Sequence, residues 1–338
     1  MSTTALPDPA PSGRERSACV VCEEQAGALL LRGAAPSGNS LEVLRCARCG
    51  HVYLDGWSAT FEAKLYDYYT PRVGDAREEA YDPLNAKRHL ELLSWLETQV
   101  PGRRLLDVGC GEGQLVASAS EVGWDALGID LATGAIQVAQ SFGVRCKKQD
   151  FFGEELDNER FDAIVMSELI EHVPAPVRFF RRARELLVPG GLLYLTTPNF
   201  DSVARRIMRG SWHVIHPEHV SYFTPDVLCR LALRDAGLSL VLAETKNFDP
   251  RAAIHLLEAC AKLLPRKKRS RTAAARARAV ATEASTKSMP RNVASVQRVR
   301  TLLEGNAALR ATKRAVNAAL SAMSGGDTIY LAVRRTPN

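Results

Sequence analysis

Apolar residues recur along the chain in two rhythms. Short apolar runs at residues 105–108, 126–129, 161–166, 192–196, 238–245 and 328–333 have the length and bounding turns of buried strands. Between and before them, residues 84–100, 114–122, 176–187 and 224–236 read as helices, with apolar residues spaced for one buried face and charges elsewhere. Pro101-Gly102 ends the first helix, Pro189-Gly190-Gly191 is expected to be a turn, and Thr224-Pro225-Asp226 has the character of a helix start. With a third strand ahead of the run KKQDFF (147–152), this alternation predicts an α/β fold around a doubly wound, mostly parallel seven-stranded sheet.

The sharpest stretch in that pattern is LLDVGCGEGQL (105–115), an apolar strand that runs through three glycines into a helix. Glycine lets the backbone approach a ligand where a Cβ would hold it away, and a helix start offers unpaired N–H groups. The loop therefore reads as a nucleotide cradle. It departs twice from the dinucleotide pattern G-x-G-x-x-G: the third glycine comes one residue early, leaving Gln114 in its place, and Asp107 precedes the glycines. A carboxylate repels a pyrophosphate and suits a ligand carrying an ammonium group and a sulfonium. Nineteen residues after Gly111, Asp130 ends the next strand, where an acid can accept both hydroxyls of a ribose.

On these residues the chain resembles the class I S-adenosylmethionine (SAM) methyltransferases, over about residues 84–240. The resemblance implies a Rossmann-like fold with SAM on Asp107, Gly109, Gly111 and Gly113 and its ribose on Asp130. It places Asp150 near the adenine and brings in Leu131, Phe151 and Ser167 beside these positions.

Open α/β sheets bind ligands beyond the carboxyl ends of their strands, so the chemistry is expected where residues 161–166 end. There the chain reads Ser167-Glu168-Leu169-Ile170-Glu171-His172-Val173; on a helical turn Glu168, Glu171 and His172 fall at i, i+3 and i+4 and share a face. These are the expected catalytic residues. Two carboxylates and an imidazole can hold a divalent cation, or His172 can act without metal as a base oriented by a carboxylate. A later run, residues 216–224, supplies more imidazoles. The E-x-x-E-H run with a distant H-x-x-x-x-T resembles the metal site of small-RNA 2′-O-methyltransferases, which implies Glu168, Glu171, His172 and His219 as ligands. Those enzymes carry two adjacent histidines, whereas Val173 follows His172 here. The first half of the pattern also resembles ubiquinone-pathway O-methyltransferases, and sugar and small-molecule methyltransferases share E-x-x-E-H-V. Metal site, metal-free base and structural cluster all stay open.

Ahead of this core, Cys19-Val-Val-Cys22 and Cys46-Ala-Arg-Cys49 form two C-x-x-C pairs that together complete a closed, tetrahedral structural zinc site. Four free or redox-active thiols are the alternative. The expected organisation is a disordered tail over 1–17, a zinc-ribbon-like module over 18–54 and an aromatic linker or lid over 55–83. The SAM-binding core covers 84–249, a basic helical insertion 250–325, and the final strand and tail 326–338.

Composition adds bounds. With 46% hydrophobic and 24% charged residues, the chain is ordinary for a soluble protein and has no run long enough to span a bilayer, so a cytoplasmic location is expected. Cys110, Cys146, Cys229 and Cys260 read as buried thiols. Residues 251–320 hold 16 Lys or Arg against three Glu, a net of +13 that leaves −7 for the rest of the chain. The basic cluster over 266–278 can meet polyanions or an anionic membrane surface, but residues 251–320 carry no aromatics to stack bases. A cysteine-rich module before a SAM domain also resembles sugar C-methyltransferases, which continue into a large further domain not found before Asn338. The expectation is therefore SAM-dependent O-methylation of a small-molecule or glycan-like hydroxyl, with RNA 2′-O-methylation and sugar C-methylation as alternatives.

Overall fold

The structure, a computed structural model, describes residues 16–25, 27–34, 40–56, 83–249, 251, 252, 255 and 307–336. The aromatic stretch from Trp57 to Tyr81 and the basic cluster at 266–278 lie outside the described residues, as do residues 1–15 and Cys260. Arg16 and Ser17, assigned to the tail, are held: the Ser17 N–H and hydroxyl both donate to Asp55 Oδ1, at 2.8 and 2.7 Å.

The larger sheet contains β4 (Arg104–Val108), β5 (Asp125–Asp130), β6 (Cys146–Lys148), β7 (Phe161–Ser167), β8 (Leu187–Pro198), β10 (Ser239–Lys246) and β11 (Thr328–Arg334). Their order is β10-β11-β8-β7-β4-β5-β6. Counted along the chain from the β6 edge, this is third, second, first, fourth, fifth, seventh, sixth, with β11 antiparallel to both its neighbours. This is the doubly wound, mostly parallel seven-stranded sheet that the sequence pattern predicts. The order reverses between β4 and β7, which puts the switch point between the glycine loop and the Glu168–His172 region.

Local chemistry explains the elements. The helix Pro176–Leu186 starts with proline at its first turn and buries Pro176, Phe180, Ala183 and Leu186, the stripe that packs on the sheet. The Pro189-Gly190-Gly191 run, expected as a turn before a strand at 192, lies inside β8. Gly190, at φ +84°, makes it a bulge: Phe161 pairs with Leu187 while Ala163 pairs with Leu192.

A second sheet, ordered β1-β2-β3-β9, joins β1 (Gly27–Ala34), β2 (Ser40–Cys46) and β3 (Val52–Leu54) to β9 (Ser221–Tyr222). Residues 18–54 therefore do not close their own sheet; a strand from the core completes it. Leu41, Val43 and Val52 share an apolar cluster with Phe200, Trp212 and Tyr222. Cys146 is buried, Cys110 and Cys229 are half-buried, and all three are free thiols. Among the described residues no helix is long and apolar enough to cross a membrane.

Candidate functional site

The glycine loop is shaped by its neighbours before any ligand arrives. Gly109, Gly111 and Gly113 all have positive φ, at 73°, 51° and 78°. Gly113 is the N-cap of the helix Gln114–Glu121, and a Cβ on it would lie 2.8 Å from Cys146 Sγ, so its early position serves close packing on β6. At Gly111 a Cβ would meet nothing within 4 Å; this residue faces open space. Asp130 Oδ2 accepts the Gly111 N–H at 2.9 Å, and its Oδ1 accepts the Ala132 N–H at 2.8 Å. A carboxylate has about four acceptor positions, so Asp130 can shape the loop and still receive ribose hydroxyls.

The other expected cofactor residues differ in what they offer. Asp107 is 5% exposed, and burial, then the charge of Asp130, pushes its carboxyl up to about 7. Leu131 and Asp150 are exposed, and Asp150 Oδ1 accepts the Phe152 N–H. Phe151 is buried: its ring packs on Phe179 and Phe152, centroids 5.5 and 5.6 Å away. Ser167 is exposed at the end of β7.

Beyond β7 the chain does not form the expected helical turn through Glu168. Glu168 has φ +50° and its N–H donates to the Thr196 carbonyl, so it belongs to the strand end; a 3₁₀ turn, Ile170–His172, follows. The shared-face argument fails because the turn starts after Glu168 and has three residues per turn. The side chains converge nonetheless. Glu168, Glu171, His172 and His219 line one cavity of about 390 Å³, together with His213, His216 and Glu218. Pro198 and Val214 complete it. A non-glycine residue in left-handed backbone at such a place is strain kept by its surroundings.

The imidazoles have defined tautomers. His172 Nδ1 lies 3.0 Å from the Glu218 carbonyl and His219 Nδ1 lies 2.7 Å from the Val214 carbonyl. A carbonyl only accepts, so both Nδ1 atoms carry the proton and both Nε2 atoms present a lone pair. The rings meet edge to face with centroids 4.7 Å apart. Burial, then His172, pushes His219 down to about 3, and burial lowers His172. Glu171 is 2% exposed, accepts the Thr197 hydroxyl at 2.9 Å, and is raised well above the usual carboxylate range by burial and then by Glu168. Ligand atoms of Glu171, His172 and His219 lie within 4.8 Å of one another, which is metal-site spacing. Sequence reasoning brought in the imidazoles of the 216–224 run but missed His213 and Glu218 as lining residues and the role of the Glu218 carbonyl; the H-P-E-H run was the signal for Glu218.

The cysteines also converge. All four Sγ atoms lie within 4.8 Å of one another, with Cys19–Cys49 and Cys22–Cys46 at 3.5 Å. Four sulfurs at about 2.3 Å from a zinc ion would be ~3.8 Å apart, so the cluster has the size and donor chemistry for that ion.

Residues 77–243 match a family model described as a methyltransferase domain, Methyltransf_23. The chain is 31% identical over 191 residues to the ubiquinone biosynthesis O-methyltransferase of Leptothrix cholodnii, covering 51% of this chain and 80% of that protein. It is 35% identical over 202 residues to the protein of the same name from Bordetella avium, covering 53% and 81%. Among solved structures, a SAM dependent methyltransferase from Archaeoglobus fulgidus aligns with a TM-score of 0.43 at 17% identity, covering 73% of this chain and 92% of that one.

Proposed function

The chain belongs to the class I SAM-dependent methyltransferases, and from that premise we propose that it O-methylates a polar, polyhydroxylated small molecule or glycan-like acceptor in the Glu168–His219 cavity. O-methylation draws support from the ubiquinone biosynthesis O-methyltransferases to which it is similar. A sugar-like acceptor draws support from the lining: four imidazoles and three carboxylates beside Pro198 and Val214 offer many hydrogen-bonding groups. In this reading SAM lies on Asp107, Gly109, Gly111 and Gly113, with Leu131, Asp150, Phe151 and Ser167 around it and its ribose on Asp130. The acceptor oxygen attacks the SAM methyl group in line; the O–CH₃ bond forms, the S–CH₃ bond breaks and S-adenosylhomocysteine leaves. Residues 18–54 act as a zinc-bearing module, with the ion on Cys19, Cys22, Cys46 and Cys49.

The observation that carries the reading is the convergence of ligand atoms of Glu171, His172 and His219 within 4.8 Å of one another, with each Nδ1 tied to a backbone carbonyl. Metal-bound histidines commonly give their second N–H to a carbonyl in this way. A divalent cation on Glu171, His172 and His219 would lower the pKa of the acceptor hydroxyl and orient it. Thr197 fixes Glu171, the Glu218 and Val214 carbonyls fix the imidazoles, and exposed Glu168 is the group left to pass the proton to water. The same locked tautomer supports a second reading, in which His172 Nε2 takes the hydroxyl proton without metal. Chelation followed by addition of Mg²⁺, Mn²⁺ or Fe²⁺ separates the two: activity lost and restored favours the cation, and an unaffected rate favours the base.

A further inference from the structure

The cysteine cluster and the histidine cavity share one strand pair. Val52 pairs with Tyr222 and Tyr53 with Ser221, and the Leu54 N–H donates to the Val220 carbonyl at 3.0 Å, directly after His219. The other end of the same segment also leans on the module. A Cβ on Gly33 of β1 would lie 2.4 Å from Ile215 Cγ2, and one on Gly210 would lie 2.2 Å from the Arg32 carbonyl oxygen. Between these two anchors, residues 212–220 contain neither helix nor strand. A segment without its own ladder takes its shape from what it packs against.

The second cysteine knuckle reaches this segment directly. The Cys46 N–H donates to the His51 carbonyl at 2.9 Å, and His51 Nε2 lies 3.1 Å from Ser221 Oγ. The His51 ring is 0% exposed and packs against Phe223, centroids 5.2 Å apart. A second tie runs from Arg230 Nη2 to the Cys49 carbonyl at 2.7 Å. From Ser221 the path to the cavity is short: His219 is two residues back, and the Glu218 carbonyl holds His172.

We propose that the loaded cysteine cluster is the mould of the histidine cavity, with His51 and Ser221 as positioning residues that fix residues 216–222 and thereby aim His219 and His172. The module then sets the geometry of the reaction without touching SAM or acceptor. This rests on the proposed function only for its effect on turnover; the coupling itself is measurable without an acceptor.

The test uses the full-length, zinc-loaded chain in four proteins, wild type, Ser221→Ala, His51→Ala and His51→Gln, whose amide nitrogen can replace Nε2, and Cys46→Ser as a fifth. Hydrogen exchange, histidine long-range ¹H–¹⁵N spectra, zinc content and calorimetry with S-adenosylhomocysteine are compared. In Ser221→Ala and His51→Ala, amides across 214–222 should exchange roughly tenfold faster, the cost of one lost buried hydrogen bond, and the His172 Nδ1–H signal should broaden or vanish. Zinc and S-adenosylhomocysteine binding should stay at wild-type level, and His51→Gln should recover most of the protection. Cys46→Ser, which removes the zinc and leaves the cavity's own ligands in place, should open the same segment, and unchanged exchange there would separate the cysteine cluster from the cavity. Unchanged exchange over 214–222 in both alanine variants overturns the proposal, as does equal loosening of the glycine loop, the mark of general destabilisation. A chain with the expected exchange pattern that binds no S-adenosylhomocysteine supports the coupling and rejects the methyltransferase reading of the site.

Discussion

Asp130 Oδ2 accepts the N–H of Gly111 at 2.9 Å, which ties the middle of the glycine loop to the end of the neighbouring strand. One carboxylate thus shapes the loop and remains open to a ribose. Asp130→Ala should weaken S-adenosylhomocysteine binding by about 1–3 kcal/mol, the range for removing charge-assisted hydrogen bonds. Calorimetry on folded variant protein measures it, and wild-type affinity would remove Asp130 from the site.

Gly111 and Gly113 should fail differently. Alanine at Gly113 must adopt left-handed backbone and also meet Cys146 Sγ at 2.8 Å, so it should cost roughly 2–4 kcal/mol of stability. Alanine at Gly111 meets no protein atom within 4 Å and should cost only about 1–2 kcal/mol of backbone strain. Its methyl group enters the space assigned to SAM, so affinity should suffer most there. Denaturant melts and calorimetry on both variants check this; the reverse ranking in both would place the ligand elsewhere.

Asp107, if SAM binds as proposed, should make cofactor binding pH-dependent. Its carboxyl sits at about 7 in the ligand-free fold, and a ligand ammonium group needs it ionised. Affinity should rise between about pH 5.5 and 7.5, by at most roughly tenfold per unit, and Asp107→Asn should flatten the profile. The stability linkage has the opposite sign. An unfolded aspartate titrates near 3.9, so the folded chain holds the extra proton between about 4 and 7, and this group's contribution to stability falls as pH rises through that window. A flat binding profile for the wild type would contradict the assignment.

Protein purified without chelator should carry about one zinc per chain, and Cys46→Ser should lose it, because four thiolates complete a closed tetrahedral site. Metal analysis with no zinc in the wild type would leave four free thiols.

Much of this was legible from local pattern. The strand before the glycines, Asp107 and Asp130 are fixed by short-range sequence, and the two C-x-x-C pairs announce their own meeting. Three features were not legible, because each depends on partners far along the chain. Glu168 reads locally as part of a helical turn, but its N–H is captured by the Thr196 carbonyl on the next strand, which holds it in left-handed backbone. Pro189-Gly190-Gly191 has turn composition, yet pairing with β7 absorbs it as a bulge. No periodicity in residues 18–54 foretells that Ser221 and Tyr222 complete their sheet.

The measurement that bears most directly on the account is transfer of the labelled SAM methyl group to a panel of polyhydroxylated acceptors, run with wild type, His172→Ala and His219→Ala beside S-adenosylhomocysteine calorimetry. The account predicts label recovered as a methyl ether, turnover lower by roughly 10²-fold or more in His172→Ala, a similar loss in His219→Ala, and product affinity unchanged in both. Full turnover in His172→Ala, or label found only on carbon or nitrogen, would contradict it.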